Sequence, residues 1–369
     1  MPYPYFNRFK IKFKPLNQRK DKVYIEKDAV YPTDEPKTKL NELSKKILYQ
    51  TVERLIIAKE KDRSRMLVFG AHSIKNGLAP VIMWLIENNW ITHLATNGAG
   101  IIHDWEFSYQ GHSSEDVKTN VSRGEFGIWE ETGFYLNLSL LVGAFEGKGY
   151  GESVGSFVEN EGLNIPSKDD LTREITDTVK ENPEYCASMC DLLQKITEFS
   201  IKEGFHYIKH PFKRFGLQAC AFRHQVPFTA HPMIGHDIIY THPMNCCSAI
   251  GRTAQRDFLT FVHSVSKLEE GVYISIGSAV MSPMVFEKSL SMSQNIAIQN
   301  GKPITNHFIV VVDLQESKWD WSQGEPPMDR PEYYLRFNKS FSRMGGTFHY
   351  LTMDNRDFLL HLVQELMKI

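Results

Sequence analysis

Apolar residues recur along the chain in two rhythms. Between Thr38 and Lys61 they fall at helical spacing, at Leu40, Leu43, Ile47, Leu48, Val52, Leu55 and Ile56, with charges between them, which predicts a long amphipathic helix. Met66-Leu67-Val68-Phe69 is instead a short continuous apolar run stopped by Gly70, as expected of a strand buried on both faces. A helix over Leu78 to Glu87 and a strand over Thr92 to Thr96 follow, leading into Asn97-Gly98-Ala99-Gly100. The alternation returns late in the chain: helix Asp257 to Leu268, strand Val272 to Ile276, helix Phe286 to Asn300, strands Phe308 to Val312 and Phe348 to Leu351, and a last helix Arg356 to Lys368. Strands and helices alternating across short turns predict an α/β fold, a doubly wound, mostly parallel sheet with helices on both faces.

Three stretches break this rhythm. Phe9-Lys10-Ile11-Lys12-Phe13-Lys14 alternates with period two, the pattern of a half-exposed strand. With Arg8, Arg19, Lys20 and Lys22 against a single acid, Asp21, up to Tyr24, it marks residues 1–35 as a basic arm whose lysines guard a solvated edge. Gly111 to Gly162, rich in glycine and acids, predicts loops and short helices around an opening, and Lys168 to Lys202 predicts helical cover. No repeat, low-complexity tract or linker divides the rest. The expected layout is the arm followed by one domain over 36–369 with a loop insertion at 111–165.

Composition narrows the class without naming a chemistry. The chain has 369 residues, 42% of them hydrophobic and 23% charged, so a disulfide- or metal-stapled core is unnecessary. A net charge of -2 gives no general attraction to nucleic acid or anionic membrane. No apolar run approaches the roughly 20 residues that span a bilayer, and the amino terminus lacks the apolar block of a secretory signal. The expectation is a cytoplasmic protein with no nucleic-acid or membrane partner. Cys186, Cys190, Cys220, Cys246 and Cys247 are odd in number and form no CxxC pair, as reduced thiols would.

Candidate chemistry lies where strands end, because parallel sheets bind ligands beyond their carboxyl ends, where helix N-termini present bare N–H groups. Three glycine-bearing turns take such positions: Gly70-Ala71-His72-Ser73, Thr96-Asn97-Gly98-Ala99-Gly100 and Gly277-Ser278-Ala279. Gly98 and Gly100 let backbone approach a ligand, with His103 and Asp104 one helical turn on. A pyrophosphate or ribose is a natural occupant, though a tight strand-to-helix turn explains the same pattern.

Val68 to Asp104, with its Gly-Ala-His-Ser-Ile-Lys-Asn-Gly-Leu turn and Thr96-Asn97-Gly98-Ala99-Gly100, resembles the NAD-binding opening of the deoxyhypusine synthase family. Val226-Pro227 through Gly235-His236-Asp237, Ile276-Gly277-Ser278-Ala279-Val280, Arg330-Pro331-Glu332 with Phe337-Asn338-Lys339, and Met353-Asp354 resemble later blocks in family order. The resemblance implies a Rossmann-like fold, a homotetramer with shared sites, and NAD as cofactor held by Gly70, His72, Thr96, Asn97, Gly98, Gly100, Asp104, Gly277, Ser278 and Asp354. It implies an NAD-dependent aminoalkyl transferase, or dehydrogenase half-reaction, on an aliphatic amine. Lys339 would carry the imine with its pKa lowered by Phe337 and Phe341, with His236 and Asp237 catalytic and His231, Tyr333 and Phe337 against substrate. Two departures bear on the polyamine: Met281-Ser282-Pro283-Met284 stands where the family has a histidine, and Tyr333 where it has an acid. Spermidine itself is therefore not the expected amine.

Other readings of the residues remain. An NAD-binding sensor or scaffold without transferase activity has the same turns. A metal-dependent hydrolase would use the histidines between His206 and His242, with His206 and His210 on one helix face. Pro211, Pro227, Pro232 and Pro243 break that region into loops, where histidines satisfy backbone groups, so no metal is expected. Trp105, Phe107, Tyr109, Trp129, Trp319, Trp321, Tyr333 and Tyr334 form an aromatic surplus, part of it core and part able to wall a cation or ring.

Overall fold

The computed structural model describes residues 3–369. Its helices run α1 (Glu42–Glu60), α2 (Ala79–Glu87), α3 (Gly98–Gln110), α4 (Glu130–Phe145), α5 (Tyr150–Asn160), α6 (Lys168–Thr178), α7 (Pro183–Glu198), α8 (Leu217–Arg223), α9 (Cys247–Ser266), α10 (Met281–Gln299) and α11 (Asn355–Leu366). The strands of the central sheet are β1 (Arg65–Phe69), β2 (His93–Thr96), β3 (Phe228–Ala230), β4 (Val272–Ile276), β5 (Phe308–Asp313) and β6 (Thr347–Thr352). They lie in the order β3-β2-β1-β4-β5-β6, and every neighbouring pair is parallel. The chain is thus an α/β protein with a doubly wound, Rossmann-like sheet, its order reversing between β1 and β4.

Alternation along each strand builds two cores. Leu67 and Phe69 of β1 point into a large core shared with α1, α2, α3, α11 and the helices inserted after β2. Met66 and Val68 point the other way, into a smaller core under α9 and α10 with Phe286, Phe341 and Phe348. β1, β2 and β4 are buried at every position, as expected of strands covered on both faces. β6, at the edge, is only half covered.

Two expectations change. Residues 111–165 are not a loop insertion: they hold a short strand, His112–Glu115, and the buried helices α4 and α5. Gly111, Gly124, Gly127 and Gly147 take the positive φ of turns, whereas the helix glycines Gly143 and Gly151 serve close packing. A Cβ on Gly143 of α4 would lie 1.9 Å from Ser153 Oγ of α5, and one on Gly151 1.7 Å from the Phe228 carbonyl. Nor is Phe9 to Lys14 a strand. The chain makes a single turn at Arg8–Lys10 and one bridge, Lys14 to Trp129, because Phe13 packs on His242 and Leu16 is buried. The strand of this region comes later, Asp21–Tyr24, antiparallel to His112–Glu115. The basic segment is docked on the body: Arg19 makes a buried two-pronged bond to Glu106 at 2.6 and 2.7 Å.

No described helix is long and apolar enough to cross a membrane. All five cysteines are free thiols.

Candidate functional site

Reversal of strand order leaves a crevice at the carboxyl ends of β1 and β4, and the turns there touch. A Cβ on Gly70 would sit 2.1 Å from the Gly277 carbonyl oxygen, so only glycine fits. Gly277 has φ +54, and a Cβ on it would sit 2.4 Å from Asn355 Nδ2 at the start of α11. That amide donates to Ser73 Oγ at 3.4 Å, so three turns meet at one point. Thr96 Oγ1 donates to the Phe69 carbonyl at 2.9 Å, tying in the turn after β2. A Cβ on Gly100 would meet that hydroxyl at 2.2 Å. Asn97 caps α3 by accepting from Gly100 N at 3.0 Å, and Asp354 caps α11 by accepting from Arg356 N at 2.8 Å. His72 is exposed beside them.

The start of α10 differs from the other two. Val280, its N-cap residue, makes no side-chain cap bond, and Ser278 Oγ accepts only from Ser282 N, at 3.2 Å. Among the described residues the N–H groups of Ser278, Ala279, Val280 and Met281 donate no hydrogen bond within the chain. Ala279 and Val280 are exposed. Successive free amides at a helix start form a concavity suited to an anion.

Asp104 is not at this edge. It is fully buried, and its carboxylate accepts from Leu217 N at 2.8 Å and from Gln218 N and Nε2 at 3.0 Å, capping α8 from below. Burial pushes it up to about 6 against those three donors. Its place one helical turn after the glycines suggested a ribose contact. The helix twist carries it inward instead.

Asp237 does reach the edge. Its carboxylate lies over the first turn of α3, where a Cβ on Gly98 would be 2.1 Å from Oδ2. Oδ2 is buried and has no hydrogen-bond partner. Burial pushes the group up to about 6, with neighbouring His236 opposing the shift. Both residues line a cavity of about 170 Å³ together with Lys75, His103 and Glu115. His103 Nδ1 bonds Ser113 Oγ at 2.7 Å, and Ser113 in turn donates to Glu106, so this wall is anchored to the Arg19 pair. Burial holds His103 down to about 4, and burial with Lys22 nearby lowers Lys75. The cavity therefore offers a neutral imidazole, an ammonium and an unpaired carboxylate. Sequence reasoning singled out neither Lys75 nor Glu115. Lys75 was readable as the second basic residue of the turn after β1, whereas Glu115 comes from the segment expected to be loop.

His231 is held away from that cavity's floor in a relay of its own. Its Nε2 bonds Thr229 Oγ1 at 3.1 Å, Thr229 bonds His93 Nε2 at 3.0 Å, and His93 Nδ1 bonds Ser264 Oγ at 2.8 Å. Burial pushes both imidazoles down to about 3, so each is neutral. Since a hydroxyl has one proton to give, the tautomers set the direction of the whole line. It can pass a proton between the ligand edge and half-buried Ser264 without charging either ring.

Lys339 stands apart from these groups. Its Nζ pairs with Glu325 Oε1 at 2.7 Å and sits 3.4 Å from the centre of the Tyr333 ring. Burial alone would lower it, but the bonds to Glu325 and Tyr333 override this and raise it. The expectation of a lowered pKa is thus reversed, because Phe341 is fully buried and turned into the smaller core while an acid faces the amine. Phe337 is likewise a core residue, 6.0 Å from the Tyr350 ring centre, and not a substrate contact. Tyr333 alone of the expected substrate residues touches Lys339. Of the aromatic surplus, Trp105, Phe107, Trp129 and Trp321 are buried core.

Among the described residues, neither His206 nor His210 belongs to a cluster of metal-ligating groups. His206 lies on a short strand, Gly204–Tyr207, bonded to the Lys202 carbonyl, not on a helix. His210 is buried among Trp105, Tyr109 and Phe157, and burial pushes it down to about 4.

No family model matches the sequence, and no curated protein does. Among solved structures, a conserved, provisionally assigned LOR/SDH protein from Methanococcus maripaludis S2 shares 13% identity, with 92% of this chain and 74% of that one aligned at a TM-score of 0.41. AgrE in ternary complex with ornithine and NAD+ shares 13%, covering 90% of this chain but 34% of its own, at 0.41. A provisionally assigned deoxyhypusine synthase from Entamoeba histolytica shares 10%, covering 88% and 89%, at 0.35. The chain therefore spans about a third of AgrE. Likeness at this level carries no argument about activity.

Proposed function

We propose that the chain binds NAD along the carboxyl edge of its sheet and takes hydride from a small aliphatic amine held in the adjoining cavity. The observation that carries this reading is the polarity of the edge. Four free amides from Ser278 to Met281 suit the cofactor's phosphates, and an unpaired buried carboxylate, Asp237 Oδ2, suits an ammonium. The start of α3 does not suit phosphate, since Asp237 already covers it. NAD, when bound, supplies the hydride acceptor. Asp237 would hold and orient the amine, Lys75 would favour a carboxylate or hydroxyl elsewhere on the substrate, and the released proton would go to solvent. Lys339, held as an ammonium by Glu325, is given no transfer step. An NAD-binding sensor without chemistry is the second reading, and that same ion pair favours it.

Calorimetric titration with NAD tests the cofactor half. Ala279→Glu sets a negative charge among the four amides without touching the core, and should weaken NAD at least tenfold, about 1.4 kcal/mol. The amine half is read as NADH absorbance across a panel of aliphatic monoamines, diamines and amino acids, which Asp237→Asn should abolish while NAD affinity stays within a few-fold. No heat with NAD refutes the proposal. Binding without NADH from any amine leaves the sensor reading in its place.

A further inference from the structure

We propose that Glu87, Cys220 and His224 form a binding site for one zinc-class divalent cation, clamping α2 to α8 on the side of the domain away from the Asp237 cavity. The ligand atoms of these three residues all lie within 4.8 Å of one another. Cys220 and the α8 C-cap residue His224 stand one helical turn apart, with His224 N donating to the Cys220 carbonyl at 3.0 Å. Glu87 is the last residue of α2. A tetrahedral site with bonds of about 2.0–2.3 Å sets neighbouring ligand atoms about 3.3–3.8 Å apart, so closing the set needs a shift of about 1 Å. Glu87 and His224 are exposed and free to make it by rotation, while Cys220 stays fixed in the core.

The donors select the ion. One sulfur, one imidazole nitrogen and one carboxylate oxygen match zinc or cobalt and exclude magnesium and calcium, which take oxygen ligands alone. Three protein ligands leave the fourth position to water. The surroundings suit a cation as well, because Glu87 and His224 end their helices, where carbonyl groups give a partial negative charge. Arg223, an opposing charge, pairs with Glu159 at 2.9 Å but also bonds the Cys220 thiol, so the ion displaces it from the sulfur. In the free chain, burial and Glu87 keep the Cys220 thiol protonated, up to about 12. Forming the metal–sulfur bond therefore releases that proton to solvent. Asp104 already fixes the amino end of α8, so the ion would fix the other end of the same short helix.

Chelator-treated, reduced, full-length protein is titrated with Co2+ and then Zn2+. The expected result is one Co2+ per chain with tetrahedral visible bands and a thiolate-to-cobalt charge-transfer band, all displaced by Zn2+. His224→Ala and Glu87→Ala, both at exposed positions, should each weaken Co2+ at least tenfold with the circular dichroism unchanged. Cys220→Ala should remove the charge-transfer band. Absence of that band in the unmodified protein overturns the proposal. So does its survival in Cys220→Ala, or Co2+ affinity that neither surface substitution alters; if Cys220→Ala fails to fold, the surface pair decides.

Discussion

Replacing Asp237 by asparagine separates a carboxylate kept for a ligand from one kept for the fold. Its Oδ2 has no partner in the chain, and burial moves the group from 3.8 to about 6. At about 1.4 kcal/mol per unit, an ionised Asp237 at pH 7 weakens the fold by up to about 3 kcal/mol. Water reaching the half-buried side chain reduces this, so a gain of about 1–3 kcal/mol is expected for Asp237→Asn. The pH dependence gives the sign. A folded pKa raised above the unfolded one means that stability is fully present below about 3.8 and is lost as pH rises through about 6. The variant lacks that loss. Urea unfolding of both proteins between pH 4 and 7.5 should show equal stability at the acid end and a more stable variant at pH 7. A gain in stability joined to a loss of amine-dependent NADH marks a group retained for function at the fold's expense. An Asp237→Asn protein that is less stable at pH 7, or that differs from the parent equally at pH 4 and pH 7, refutes the reasoning.

Asp104→Ala leaves Leu217 N and Gln218 N at the start of α8 without an acceptor, at about 1–3 kcal/mol for each buried orphan. A loss of about 2–6 kcal/mol in urea unfolding is expected with NAD affinity unchanged; weaker NAD binding at full stability would restore a cofactor role. Lys339, raised by Glu325 and Tyr333, should give no borohydride-trapped adduct by mass spectrometry with any amine in the presence of NAD at neutral pH. An adduct on Lys339 in the unmodified protein would reinstate it as a nucleophile.

The sheet was readable because strands buried on both faces leave short, mostly apolar runs stopped by turn residues. Val272 to Ile276 ends where expected, and β1, β2 and β5 differ from expectation by a residue at one end. The order of the strands was not readable, since nothing local to β3 says that it pairs with β2. The inserted helices are longer than the short ones expected for a definite reason. A stretch rich in glycine and acids reads as loop, whereas at Gly143 and Gly151 glycine lets a helix lie against a neighbour with no space between. Spacing suggested which residues stand at the sheet's edge, but it could not say which way a side chain turns. Asp104 and Asp237 are both acids near the turn after β2; one points down to cap a helix and the other up over Gly98.

That difference in direction decides what the edge can hold. Three long helices, α3, α10 and α11, start at the carboxyl ends of the strands, as does the five-residue helix Ala71–Lys75, and their amino ends compete for any anion. Asn97 caps α3 and Asp237 covers it; Asp354 caps α11. α10 keeps four successive unengaged amides, Ser278 to Met281, directly after the Gly277 turn that packs against Gly70. Negative charge is thus welcome beside β4 and repelled beside β2, while positive charge is welcome at Asp237. A ligand that is anionic along one part and cationic at another fits that polarity in a single orientation. Moving the charge should therefore reverse the preference. With Asp237→Asn the start of α3 becomes a second amide cluster competent for phosphate, and inorganic phosphate should protect the variant from unfolding more than it protects the parent. Equal protection of the two proteins would show that Asp237 does not govern the sign of the edge.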